Sequence, residues 1–129
     1  MLLRPLRYRR LWLALGVLML IGILVVCLVP GVSDPTFAGI DKVEHLLAWL
    51  IVSSWFAALL ERRALPMLAG GLIALGIGIE FAQEFMALGR QGDWRDVVAN
   101  AVGVFGGITL AAWNRESWLA RLEKWRSET

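Results

Sequence analysis

Four long apolar blocks, separated by short polar segments, run along the 129-residue chain. The first, Leu11 to Val29, is 19 residues without a charge. At about 1.5 Å of helical rise per residue it reaches roughly 28 Å, close to the hydrocarbon thickness of a bilayer. Arg4, Arg7, Arg9 and Arg10 precede it as in a signal peptide, but Pro30-Gly31 follows where a small-residue cleavage site would stand, so an uncleaved span is expected. The second block is Val43 to Leu60, closed by Glu61-Arg62-Arg63. The third runs from Ala64 to Leu88, with Pro66 tolerated in the first turn. The fourth is Val97 to Trp113. None of them alternates with the period of two that marks a strand.

The remaining stretch, Asn114 to Thr129, places Trp118, Leu119, Leu122 and Trp125 at helical spacing among Arg115, Arg121, Lys124 and Arg126. It is too short and too charged for a fifth span, and it predicts an amphipathic helix lying in the membrane interface. The pattern therefore predicts an all-α integral membrane protein in a single domain over residues 1–129. Its four transmembrane helices cover about 11–29, 43–60, 64–88 and 97–113, and a short interfacial helix covers 114–129.

Composition supports this class. Apolar residues make up 58% of the chain and charged ones 19%, against about half and a quarter in a soluble domain. Disordered, collagen-like, coiled-coil and disulfide-scaffold chains are excluded, and a soluble enzyme is disfavoured. The pI near 9.2 would suit nucleic acid, but the basic residues flank apolar blocks, so it reads as membrane topology and no nucleic-acid partner is expected. The single cysteine, Cys27, sits between Val26 and Leu28 as a small hydrophobe.

Ten of the 13 Lys and Arg residues fall in the N-terminal segment, the 61–63 loop and the tail. The other three, Lys42, Arg90 and Arg95, fall on the opposite side. The positive-inside rule then places both termini in the cytoplasm. Seven of the 11 acids gather on the outer side.

Three of the outer segments carry unexpected polar residues: Asp41-Lys42-Val43-Glu44-His45 opening span two, Glu80-x-x-Gln83-Glu84 ending span three, and Arg90-x-x-Asp93-x-x-Asp96-x-x-x-Asn100 opening span four. The deduced topology brings all three to one membrane face. Asp93, Asp96, Asn100, Gly103 and Gly107 form one helical stripe, polar at its outer end and glycine at its inner end. Gly103-x-x-x-Gly107 suits close helix packing. An ionised acid inside a span costs about 2.5–3.5 kcal/mol at its centre, so Glu80 needs a partner, with Lys42, Arg90 and Arg95 as candidates. Helix capping alone accounts for Asp41 and Asp93, each with an acid three residues later, but not for the rest of the set.

These segments together resemble the VanZ-like family of small membrane proteins: Asp41-Lys42-x-x-His45, Glu80-x-x-Gln83, then Arg90-x-x-Asp93-x-x-Asp96-x-x-x-Asn100-x-x-Gly103. The resemblance covers roughly Asp41 to Gly107. It implies a bacterial inner (cytoplasmic) membrane. The family's namesake is associated with resistance to teicoplanin, a glycopeptide antibiotic acting on the outer membrane face.

Three functions are consistent with the residues. A binding protein would hold a polar head group with Asp41, Lys42, His45, Glu80, Gln83, Arg90, Asp93, Asp96 and Asn100 while the spans hold an apolar tail, which suits an amphiphilic envelope lipid or a glycopeptide. A membrane-embedded enzyme would use Glu80 as general acid or base, with His45 and Asp96 orienting it and Arg90 facing an oxyanion or phosphate. A structural partner in a larger membrane complex would use the Gly-rich spans and the Trp-rich tail. No nucleophile triad, HExxH, CxxC, P-loop or GxGxxG is present, so no reaction class is indicated. No cofactor is expected, and one histidine with dispersed acids has no metal-ligand spacing.

Overall fold

The computed structural model describes residues 2–28, 40–86, 93–113 and 116–128, with the side chains of 40 and 41 outside the description. Five α-helices follow one another: α1 Arg9–Leu28, α2 Ile40–Leu59, α3 Leu65–Met86, α4 Trp94–Ala112 and α5 Trp118–Glu128, with a 3₁₀ turn at Arg62–Ala64 before α3. The first four are long and apolar enough to cross a membrane. No strand occurs among the described residues; Leu3 and Leu60 form an isolated β-bridge.

The glycines of α4 set its direction. Gly103 lies against the Leu46 carbonyl and the Leu50 amide of α2, and Gly107 lies one turn further along against the Leu50 carbonyl and Ser53. The two helices therefore run the same way in close contact. Ser53 Oγ adds a bridge, donating to the Leu50 carbonyl at 3.2 Å and lying 3.4 Å from that of Gly103. α3 runs opposite to both, with Gly76 beside Asn100 and Glu80 beside Asp93. α1 is antiparallel to α2: Gly16 meets Trp55 and Phe56, and at the far end of α1 the Cys27 carbonyl accepts from Gln83 Nε2 of α3 at 2.8 Å.

The core is built around Trp49, Val52, Leu72, Ile79 and Val104. Outward faces are apolar as well: Leu18 and Val26 on α1, Ile51 on α2, Phe85 on α3 and Leu110 on α4 are all exposed. Exposed apolar residues on all four of these helices are compatible with a multi-pass membrane protein.

Opposite ends of the bundle differ in chemistry. One end gathers Arg9, Arg10, Arg62 and Arg63 with α5. A helix leaves its last carbonyls without intrahelical partners, and here the chain satisfies several of them. The N-terminal strap runs beside the end of α2, where the Arg4 amide donates to Leu59 at 2.9 Å and Arg4 Nε to Leu60 at 2.8 Å. Ser117 Oγ donates to the Ala58 carbonyl at 2.6 Å, and Arg62 reaches the Ala112 carbonyl at 3.0 Å.

The tail is helical and packs on the bundle. Its helix covers Trp118–Glu128. Leu119 is fully buried with Leu6, Ala58 and Leu59, and Trp55 packs edge-on between Trp12 and Trp118. Leu122 and Trp125 remain exposed. The fourth helix starts at Trp94, three residues before the apolar block at 97. Asp93 is its N-cap and accepts from the Arg95 amide at 2.9 Å, so the polar residues Arg95 and Asp96 form the first turn.

Candidate functional site

The opposite end of the bundle carries the polar residues. Four side chains converge there from three helices. His45 stands one turn inside the start of α2, Glu80 near the end of α3, and Asp96 and Asn100 on one face of α4. All are buried: His45 and Glu80 are 6% exposed, Asp96 4% and Asn100 2%.

Their geometry is compact. His45 Nδ1 lies 2.9 Å from Asn100 Oδ1 and 3.9 Å from Glu80 Oε1. Glu80 Oε2 accepts from the Asp93 amide at 3.2 Å, so the end of α3 is tied to the cap of α4. Lys42 bridges the two acids of α4, with Nζ 3.1 Å from Asp93 Oδ2 and 3.2 Å from Asp96 Oδ1. The Arg95 amide holds the Asp93 carboxyl below the usual carboxylate range, and Lys42 adds to the effect. Asn100 Nδ2 lies beside Gly76, and it has no hydrogen-bond partner among the described residues.

The sequence-derived set is thus brought together in part. His45, Glu80, Asp96 and Asn100 form the buried cluster, and Lys42 and Asp93 form its rim. Gln83 does something else: it is buried, but its amide closes the end of α1 through Cys27. Gly103 and Gly107 are the contact line between α2 and α4. Arg95 is no partner for Glu80 in this arrangement; its guanidinium lies 5.8 Å over the ring of Trp94. Arg90 and the Asp41 side chain lie outside the described residues.

Two features go beyond the expected cluster: its interatomic distances, and a cleft beside it. One ring nitrogen of His45 and one oxygen each of Glu80 and Asp96 all lie within 4.8 Å of one another. The topology brings these three helix ends to one face, and the fold sets the interatomic distances. The second is a cleft of about 370 Å³ between α1 and α2. Met19, Gly22 and Val26 form one wall and Ala48 and Ile51 the other, and its polar lining is Glu44 and His45. A Cβ at position 22 would meet nothing within 4 Å, so the cleft is open there.

No family model, no curated protein and no solved structure matches the chain.

Proposed function

We propose that this is a multi-pass protein of the bacterial inner membrane, with both termini cytoplasmic, that binds an amphiphile on its extracytoplasmic side. The polar cluster receives the head group and the α1–α2 cleft receives an apolar chain. The observation that carries this reading is the shared residue: His45 belongs both to the buried cluster and to the lining of the apolar cleft. A ligand in the cleft therefore has its polar end at the cluster. The outward apolar faces support a membrane location, and the Lys/Arg asymmetry supports the orientation. The VanZ-like resemblance points to an envelope lipid or a glycopeptide such as teicoplanin as the ligand class.

A second reading is favoured by the buried His45–Glu80 pair at 3.9 Å. A pair at that distance can pass a proton through one intervening water or substrate group, so the same site would serve a membrane-embedded hydrolase or transferase acting on an envelope lipid.

Fluorescent teicoplanin and phosphatidylglycerol, titrated onto the protein in nanodiscs, test the reading. Saturable binding of either is expected, and Gly22→Leu should abolish it by filling the cleft, since the Cβ has open space there. Unchanged binding by Gly22→Leu would remove the cleft from the proposal. Turnover of the lipid, lost in Glu80→Gln, would favour the enzyme.

A further inference from the structure

The buried cluster has the composition of a cation site. The three helices contribute an imidazole nitrogen and two carboxylate oxygens within 4.8 Å of one another. A divalent ion held at about 2.0–2.2 Å by each ligand would place neighbouring donor atoms about 3 Å apart and opposed ones about 4.2 Å apart. The His45–Asn100 distance of 2.9 Å and the His45–Glu80 distance of 3.9 Å fall close to that span.

Asn100 supplies an independent observation. It is 2% exposed, and its carbonyl oxygen is turned to the cluster. Its Nδ2 is left against Gly76 without a hydrogen-bond partner among the described residues. Burying an unsatisfied donor is unfavourable and needs a reason. The orientation that costs this hydrogen bond is the one that presents an acceptor. His45 Nδ1, Asn100 Oδ1 and the two carboxylates then all offer lone pairs to the same small volume. A proton on Nδ1 serves only the His45–Asn100 contact, whereas a cation would engage all four groups at once.

The geometry points to a divalent transition cation, of Mn²⁺ or Zn²⁺ type, bound by His45, Glu80, Asp96 and the carbonyl of Asn100. One imidazole with oxygen donors suits these ions better than a soft, thiolate-preferring metal. The site does not depend on the amphiphile reading. Glu80 is oriented for the role, because the Asp93 amide holds Oε2 while Oε1 faces His45. Lys42 competes for it, since its ammonium lies 3.2 Å from Asp96 Oδ1.

The test uses the full chain in detergent, stripped with a chelator and then titrated with MnCl₂ or ZnCl₂. Metal content and affinity are measured after desalting, and thermal unfolding in chelator reports folding separately. Wild type should retain one equivalent per chain of at least one of the two ions. Glu80→Gln and Asp96→Asn should each weaken binding at least about tenfold, given what even outer-shell changes do to metal sites. Lys42→Met should tighten it, which a purely structural cluster does not explain. Absence of metal above the blank in wild type overturns the inference. So does an equivalent that persists in the Glu80→Gln/Asp96→Asn double variant, or a Lys42→Met protein that unfolds like wild type yet binds no tighter.

Discussion

Gly107 of α4 rests directly on the Ser53 side chain of α2. A Cβ at position 107 would collide with the Ser53 hydroxyl and the Leu50 carbonyl, and one at position 103 with the Leu46 carbonyl. A rotating side chain can yield, but a helix carbonyl moves only with its backbone. Gly107→Ala should therefore force α2 and α4 apart and cost about 1–3 kcal/mol, the usual penalty of overpacking. Gly70→Ala and Gly78→Ala meet nothing within 4 Å. They should be neutral or gain up to about 1 kcal/mol from better helix propensity. Unfolding of the four proteins in one detergent distinguishes the two classes; equal behaviour would remove the close-contact argument.

Glu123 links the tail to the N-terminal segment. One carboxylate accepts from the Arg7 amide at 2.8 Å, the Tyr8 amide at 2.9 Å and the Trp12 indole at 2.7 Å. Burial alone would raise its pKa, but these donors outweigh burial and hold it below its ordinary value. A depressed acid stabilises the folded state above its unfolded pKa of 4.5 and loses that contribution as pH falls through the lower folded value. Docking of α5 should thus weaken on acidification below about pH 4.5, the ordinary glutamate range. Limited proteolysis of the tail against pH measures it. Glu123→Gln should make the tail more labile at pH 7 and flatten its response to acid.

The helices were legible because each is an apolar run of membrane length, and runs of that kind survive any tertiary context. Their polar ends were less so. The apolar block began at 97, yet α4 begins at Trp94 because Asp93 caps it, so a boundary drawn by hydrophobicity fell inside the helix. The polar stripe Asp96, Asn100, Gly103, Gly107 was readable from its spacing, and it does face α2. The meeting of His45 and Glu80, 35 positions apart, with Asp96 followed from the topology that brings their segments to one membrane face, but the interatomic distances did not. The role of Gln83 was also hidden, since its partner is a backbone carbonyl and leaves no signature in the sequence. The tail's amphipathic spacing correctly marked a helix, but Leu119 faces the bundle rather than a lipid surface.

The orientation has a direct check. A tag fused after Thr129 should be shielded from reagents that reach only the extracytoplasmic side, and so should one before Met1. A cysteine placed at Glu44, which is exposed at the polar end, should react with them, provided Cys27 is first changed to Ser. Labelling of the tags, or protection of position 44, would reverse the assigned topology. Changing Arg62 and Arg63 to Glu removes two of the ten inner basic residues and should produce a mixed population.

Asn100 and Gly76 should be energetically coupled. A Cβ at Gly76 would stand 3.2 Å from Asn100 Nδ2 and 3.5 Å from both Asn100 Cβ and Trp49 Cζ2. Gly76→Ala alone therefore pushes a buried amide by a few tenths of an ångström, and that amide cannot retreat without disturbing its 2.9 Å contact with His45. A modest loss of stability is expected. Asn100→Ala removes the His45 partner and opens a small void, costing about 1–3 kcal/mol for a buried hydrogen-bonding group left short of one partner. In the double variant the alanine at 76 has no Nδ2 to displace and extends into the vacated volume. Its loss should be smaller than the sum of the two single losses, with a coupling of about 0.5 kcal/mol or more. Thermal unfolding of the four members of the cycle, all in chelator, keeps metal out of the comparison. Simple additivity would show that Asn100 and Gly76 are not the mutual contact described, and the orientation of the Asn100 carbonyl toward His45 would lose its support.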